Sequence, residues 1–487
     1  MVASLFRFQS FFQHVFSFKE YSKYHWLGLL AGIVMLAIFF GIARLSPSFN
    51  YTDIPPPDAI RLFFGLMVVA GSIYLALMFV IPRMSQHRSL LSLFILLGVL
   101  ARIVFFGSTP IYEDDWYRYL WDGAVVSAGI SPYEVAPADA ALVDGFGQTA
   151  SPASSVNVQT LRDLGETQEF WPERVNFPFV TTIYPPLTQI AFAAAYQISP
   201  FNLEAWRLVL LLVDIANLAI IIALLRHWGR SLFWMLLYWW NPIVIMTTFS
   251  MAHMDVLLLP FLGGALLLAA QNKPRWSAVA LGAATAVKFW PIIFAPLLFR
   301  EHRRNYALLA KTGMVLCVSV FVFLVPMFIS FKPDVSGLTV YANSWERNAF
   351  LFPLMTQVFE SVVNDADLAG RMMAAIVPLS FIAWATFKSD IRTSTLPRDL
   401  MITVLLLYLF SPTGYPWYAI WFVMFLPLAP SFGAAVFVIT LPIYFLRFSL
   451  EGMGQGQYFN AVLVPIEFAI PIIVLGYELV KQRFIRL

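Results

Sequence analysis

The chain has 487 residues, of which 60% are hydrophobic and only 12% charged, and its mean hydropathy is +0.74. A soluble protein of this length needs far more charged surface, so composition excludes one. The formal charge of +3 is too small to point to a nucleic-acid partner, and the single cysteine, Cys317, lies in an apolar run, which rules out a disulfide framework.

Residues 1–24 are aromatic and basic and read as a cytoplasmic amphipathic lead-in with no signal-peptide cleavage site. Apolar runs follow that are long enough for a helix to cross roughly 30 Å of hydrocarbon. The clearest are 25–45, 60–82, 89–107, 306–330 and 461–480. In lipid such runs must be helical, because backbone amides find no other partner there. Basic loops mark the cytoplasmic side. They fall at 83–88, 226–230, 273–275, 300–304, 388–398 and 481–486. Loops poor in Lys and Arg fall at 46–59, 108–182, 250–255, 331–352, 411–417 and 451–460. The two sets alternate, which puts both termini in the cytoplasm. Two places break the alternation. Residues 183–199 carry Pro185 and Pro186 and read as an outer or re-entrant helix. Residues 276–299 begin and end beside basic clusters and read as two half-length helices broken at Trp290–Pro291. The expectation is an all-α, polytopic transmembrane helix bundle with about 12 crossings plus re-entrant or juxtamembrane helices. It divides into the lead-in (1–24), three crossings (25–107), a large extracytoplasmic loop (108–182) and the remaining bundle (183–487).

The chemistry concentrates where the long loop begins. Glu113, Asp114 and Asp115 stand together among Tyr112, Trp116, Tyr117, Tyr119 and Trp121. Three adjacent acids raise one another's pKa and are costly to assemble at a membrane surface. One or two would cap a helix, and Asp114, Arg118 and Asp122 have i, i+4 spacing for ordinary ion pairs. Capping does not require three. Further on come Gly129-Ile130-Ser131-Pro132-Tyr133 and Ile183-Tyr184-Pro185-Pro186-Leu187. Later still, Lys288 interrupts an apolar stretch, where a charge is a functional candidate by default, although it could also snorkel from a helix end. His253 and Asp255 could cap the helix they open, Trp417 and Tyr418 could be interface anchors, and Asp214, Asn217 and Glu467 could form interhelical hydrogen bonds.

The order acid-x-Asp, Gly-x-Ser/Asn-Pro-Tyr, Tyr-x-Pro-Leu resembles the GT-C class of multispanning glycosyltransferases. It looks closest to the bacterial polyprenyl-phosphate-mannose-dependent mannosyltransferases and is similar to the eukaryotic enzyme that adds the first mannose of the GPI anchor. His253-Met254-Asp255, Lys288-Phe289-Trp290-Pro291, the Tyr341, Trp345, Asn348 segment with Glu346 and Arg347, and Pro416-Trp417-Tyr418 follow in the order the resemblance requires. It implies a catalytic acid-x-Asp pair in the first large outer loop, here Glu113 and Asp115, with the Asp as general base. The chain departs by placing Glu first and inserting Asp114, which leaves Asp114 and Asp115 both open as the proton acceptor. Met254 replaces an Asn of the relatives.

A polyprenyl-phosphate sugar has a leaving group that departs without a proton, so one general base on the acceptor hydroxyl suffices, whereas a hydrolase needs a second carboxylate as acid. Candidate groups for the donor phosphate or sugar are Arg118, Lys288, His253, Asp255, Arg347, Trp345 and Tyr184. Candidates for the acceptor or lipid groove are Trp116, Tyr117, Asp122, Tyr133, Trp417 and Tyr418. In-line displacement would invert a β-linked donor to an α-linked product. The expected partners are a polyprenyl-phosphate-linked sugar, a glycan, lipid or glycolipid acceptor, and the bilayer of a bacterial inner or plasma membrane, with the site on the extracytoplasmic face. No resident metal or cofactor is assigned, although a divalent cation could sit at Glu113, Asp115 and Asp255. The rival function is a transporter or flippase for a lipid-linked sugar, which would place charges deep in several helices and show inverted repeats. A structural subunit of an envelope assembly would leave the triple acid unexplained.

Overall fold

A computed structural model of the chain describes residues 21–50, 56–140, 155–166, 174–330, 337–388 and 393–481. Most of the 1–24 lead-in and nearly all of the 481–486 basic end lie outside them. Among the described residues the protein is all-α, and Arg347 and Thr413 form an isolated β-bridge. Among the described residues, eight helices are long and apolar enough to cross a membrane: Lys23–Phe49, Pro57–Arg83, Leu203–His227, Tyr306–Ser330, Ala366–Phe387, Thr393–Phe410, Phe432–Gly452 and Gly456–Lys481. A ninth forms if Leu232–Trp239 and Pro242–Ser250, bent by 51°, make one span. The three other stretches that the sequence counts as crossings fold into shorter helices. Arg88–Ile103 has 16 residues, Met254–Ala270 falls below 18, and the stretch after Pro416 is helical only over Pro416–Ala419 and Ile420–Val423. Proline and π-helical turns account for the bends: Asn241-Pro242 opens one segment, Met246–Ser250 is π-helical, and Pro260 sits in the first turn of the next.

The chain forms two compact units. The first comprises residues 1–109, 221–250 and 416–487. Small residues let its helices approach closely. Gly71 faces the backbone of Val438 and Ile439, and Gly433 faces Leu475. Arg102, fully buried, donates to the carbonyls of Gly98 and Trp239, both at 2.9 Å, and lies over the Trp239 ring at 3.5 Å. The buried Glu478 carboxylate accepts from the backbone of Phe432 at 2.6 Å and Gly433 at 3.1 Å, closing the start of the Phe432–Thr440 helix. Trp417 and Tyr418 are buried in this unit.

The second unit comprises residues 110–220 and 251–415 and holds the long-loop acids. Its Asp115–Ser127 helix packs on Pro186–Ile198, the helix that opens at the Pro-Pro pair. The contact is close because Gly123 has no side chain: a Cβ there would stand 2.4 Å from the Phe192 carbonyl oxygen. Residues 276–299 do form two helical pieces, Pro274–Thr285 and, after a turn that contains Lys288, Trp290–Phe294 continued by Ala295–Leu298. At the other end of the unit Asp399 accepts from Arg300 at 2.5 Å and Lys388 at 2.9 Å, all in or beside two of the basic loops. Asp214, Asn217 and Glu467 are fully buried, and the Asn217 amide meets no hydrogen-bond partner among the described residues, so the expected interhelical bond is not seen there.

Candidate active site

Asp115 is the first residue of the Asp115–Ser127 helix and Asp114 its N-cap, but the Asp114 side chain makes no capping bond. Glu113 takes that place: its Oε1 accepts from the backbone N–H of Asp114 at 3.3 Å and of Asp115 at 3.2 Å. Tyr112, at φ 54°, turns the chain sharply just before the three acids. The other carboxylate oxygen of Glu113 is 3.0 Å from His253 Nε2, and the opposite ring nitrogen, Nδ1, lies 3.9 Å from Asp115 Oδ2 and 3.4 Å from the Tyr119 hydroxyl. The imidazole therefore stands between two carboxylates, 2% exposed, beside a Glu113 that is 8% exposed and an Asp115 that is 30% exposed. Asp115 is the member of the group open to a substrate.

Local backbone geometry aims His253 into this position. Ala252 adopts φ 62°, uncommon for a residue with a side chain, and its carbonyl is held by Trp206 Nε1 at 2.8 Å. His253 makes no capping bond to the turn that follows, so the capping reading of this residue is not realised. Two residues on, Asp255 pairs with Lys288 Nζ at 2.6 Å, drawing the Lys288 turn to the same place. Asp255 thus stands with a lysine rather than with the Glu113 and Asp115 acids.

Burial sets the electrostatics. It pushes Glu113 up to about 8, against the pull of its two backbone N–H bonds. Asp115 rises to about 7, through burial first and the neighbouring Glu113 charge second. Asp114 rises to about 6 from the same two causes, held back by its bond from Asn176. Burial drives His253 down to about 4, although the charges of Asp115 and Asp255 oppose it. At neutral pH the histidine is uncharged, Glu113 is mostly protonated, and Asp115 is poised between its two forms. A carboxylate in that state can accept a proton and release it again.

The remaining candidates separate into groups. Arg118 is tied to Asp122 at 2.8 Å and to the Val180 carbonyl, and Asp122 also accepts from Thr182 at 2.6 Å and Gln189 at 3.0 Å. This buried network fixes the strap after the long loop onto the helix that carries the acids. Tyr133 donates to the Tyr184 carbonyl at 2.9 Å, and the Tyr184 ring meets Tyr119 edge-on at 5.3 Å. Trp116 stacks on Tyr117 at 3.7 Å, and the Tyr117 hydroxyl accepts from Arg174 at 3.0 Å. The Arg347 backbone pairs with Pro412 and Gly414, while its side chain is exposed. Trp417 and Tyr418 belong to the other unit.

Two contributors, Asn176 and Gln189, carried no signal in the sequence, and Tyr119 showed only as one of the aromatics beside the acids. Asn176 donates its amide to the carboxylates of Asp114 and Asp115, the latter at 3.2 Å. Tyr119 faces His253, and Gln189 locks Asp122. Glu113, Asp115 and His253 each offer one donor atom, all within 4.8 Å of one another, and two carboxylates with an imidazole are a donor set that a divalent cation accepts.

Helices long enough to span a bilayer and a carboxylate–histidine cluster beside a lysine fit a membrane glycosyltransferase, and similarity to known proteins supports that class. Residues 182–412 match the sequence profile of Glycosyltransferase family 87, a stretch that includes Tyr184, His253, Asp255, Lys288, Trp345 and Arg347. The chain is also similar to alpha-(1->6)-mannopyranosyltransferase A of Mycobacterium tuberculosis, at 24% identity over 384 residues, covering 72% of this chain and 68% of that protein. Together the two matches support the GT-C, mannosyltransferase-like class that the motif order implies. No solved structure matches the chain.

Proposed function

We propose that the protein transfers a hexosyl group, mannosyl on the strength of its relatives, from a polyprenyl-phosphate donor to an acceptor hydroxyl on the extracytoplasmic side, with inversion. The observation that carries this reading is the part-exposed Asp115 carboxylate, held beside buried Glu113 and His253, with Asp255, the partner of Lys288, two residues after His253 in the chain.

In the step, an acceptor oxygen attacks the anomeric carbon, the bond from that carbon to the donor phosphate breaks, and the hydroxyl proton passes to Asp115. The phosphate leaves as an anion and needs no proton, so a single base is enough. Lys288 meets the departing phosphate as a cation. A neutral His253 and a protonated Glu113 keep the site from accumulating negative charge that would repel that phosphate. Displacement in line gives an α-product from a β-linked donor. A divalent cation, where the protein binds one, fits at Glu113, Asp115 and His253 and would supply positive charge toward the donor.

The test is transfer from labelled polyprenyl-phosphate-mannose to octyl α-mannoside by the purified protein in lipid nanodiscs. Lys288→Ala is expected to raise the donor KM and lower transfer. Normal transfer by this variant, together with loss of lipid flipping in vesicles, would favour the transporter reading instead.

A further inference from the structure

We infer that Phe177 and Trp345 form the platform on which the acceptor's terminal hexopyranose ring stacks, with Asn176 tying that platform to the reacting carboxylates. The inference rests on the transfer reading above, and it moves Trp345 from the donor to the acceptor side. Asn176 bonds the Asp114 and Asp115 carboxylates, and Phe177 is the next residue. Successive Cα atoms are about 3.8 Å apart, so the backbone that carries the Phe177 ring is anchored one residue from a side chain bonded to the proposed base. That ring is not packed away. Phe177 is 52% exposed, and its backbone, at φ 52°, lies in the left-handed region that a bulky residue enters only under constraint. Such constraint at a functional site serves to present a side chain.

Trp345 completes the surface. Its ring centroid lies 4.3 Å from that of Phe177 at an interplanar angle of 53°, and its Nε1 donates to the Tyr415 hydroxyl at 3.1 Å. Tyr341 lies beside it at 5.6 Å and shares a hydrogen bond with Thr413 at 3.1 Å. Aromatic faces bordered by hydroxyls and an amide suit a pyranose, whose C–H face is apolar and whose edge carries hydroxyl groups. An interfacial lipid anchor would need an exposed ring but neither the amide bridge to Asp115 nor the fixed indole. A sugar stacked here places its edge hydroxyls toward Asp115, the geometry that transfer requires.

The experiment compares the full-length protein with Phe177→Ala and Phe177→Tyr. Transfer from polyprenyl-phosphate-mannose to octyl α-mannoside is measured, and equilibrium binding of labelled methyl α-mannoside is measured without donor. Loss of one aromatic contact is expected to raise the acceptor KM and weaken methyl α-mannoside binding by about 3- to 10-fold. The donor KM should stay within about twofold by the same reasoning, and Phe177→Tyr should restore both acceptor quantities. An unchanged acceptor KM, a rise in donor KM alone, or a defect confined to incorporation into liposomes would overturn the platform while leaving the transfer reading intact. If the wild type transfers nothing, the transfer reading fails, and sugar binding then decides the platform alone: weaker binding by Phe177→Ala supports it, and equal or absent binding overturns it.

Discussion

At the scale of single residues, the site turns on how far burial can lift a carboxylate. Asp115→Asn keeps shape and hydrogen bonding but removes the base, and such losses typically cost about 10²- to 10⁴-fold in rate. Transfer should nearly vanish while donor binding persists; near-normal turnover would falsify the assignment. Asp114→Asn should be milder, because the contact with the His253 ring, at 3.9 Å, is made by Asp115. Since Asp115 is lifted to about 7, kcat/KM should climb tenfold per pH unit on the acid side and level off above about 7. Stability runs the other way. The folded protein holds the Asp115 proton more tightly than the unfolded chain, so this group costs stability as pH rises from about 4 toward about 7. Asp115→Asn should therefore unfold at a higher temperature than wild type at pH 8, and a lower midpoint would contradict the burial argument. The charged members of this site were legible in the sequence because a charge in an apolar chain is conspicuous. Asn176, Phe177 and Gln189 were not: the first two are neutral or apolar residues in a loop, Gln189 is one uncharged residue in a helix, and their roles come only from where the fold brings them.

At the scale of elements, the acids are positioned by one helix pair, Asp115–Ser127 on Pro186–Ile198. Two features hold it. The Arg118, Asp122, Thr182 and Gln189 network fixes the strap that joins the pair, and Gly123 lets the backbones touch. Gly123→Ala pits two effects against each other. Ala favours the helix by about 1 kcal/mol. Its Cβ, however, would stand 2.4 Å from a backbone carbonyl oxygen and 2.7 Å from its carbon, atoms that cannot rotate aside. Overpacking of this kind costs roughly 1–3 kcal/mol, so the clash should win and the thermal midpoint of the purified protein should fall. An unchanged or raised midpoint would mean that the pair slides freely. The sequence placed a break among residues 276–299, and the structure has one, displaced a few residues toward Lys288. It could not show that Arg88–Ile103 and Met254–Ala270 stop short of a full span, because hydropathy reports composition and not where the hydrogen-bond ladder ends.

At the scale of the molecule, the remaining question is which side of the membrane holds the acids. The distribution of Lys and Arg gives the expectation by a physical rule: basic loops resist translocation, so the basic set is expected to stay in the cytoplasm. Within the second unit, Arg300 and Lys388 are bound to the buried Asp399 carboxylate beside the 300–304 and 388–398 loops. Those loops cannot shed their positive charge without leaving a buried acid unpaired, which is costly. The Glu113–Asp115 loop and the 155–166 helix that follows it belong to the set poor in Lys and Arg. The test uses a Cys317→Ser background, since Cys317 is the chain's one cysteine and is exposed. Gln159→Cys and Ser394→Cys place single thiols at exposed positions in the two loop sets. In intact cells a membrane-impermeant maleimide should label position 159 at once and position 394 only after permeabilisation. The opposite pattern would put Asp115 on the cytoplasmic face, where nucleotide sugars are at hand, and would undo the case for a lipid-linked donor.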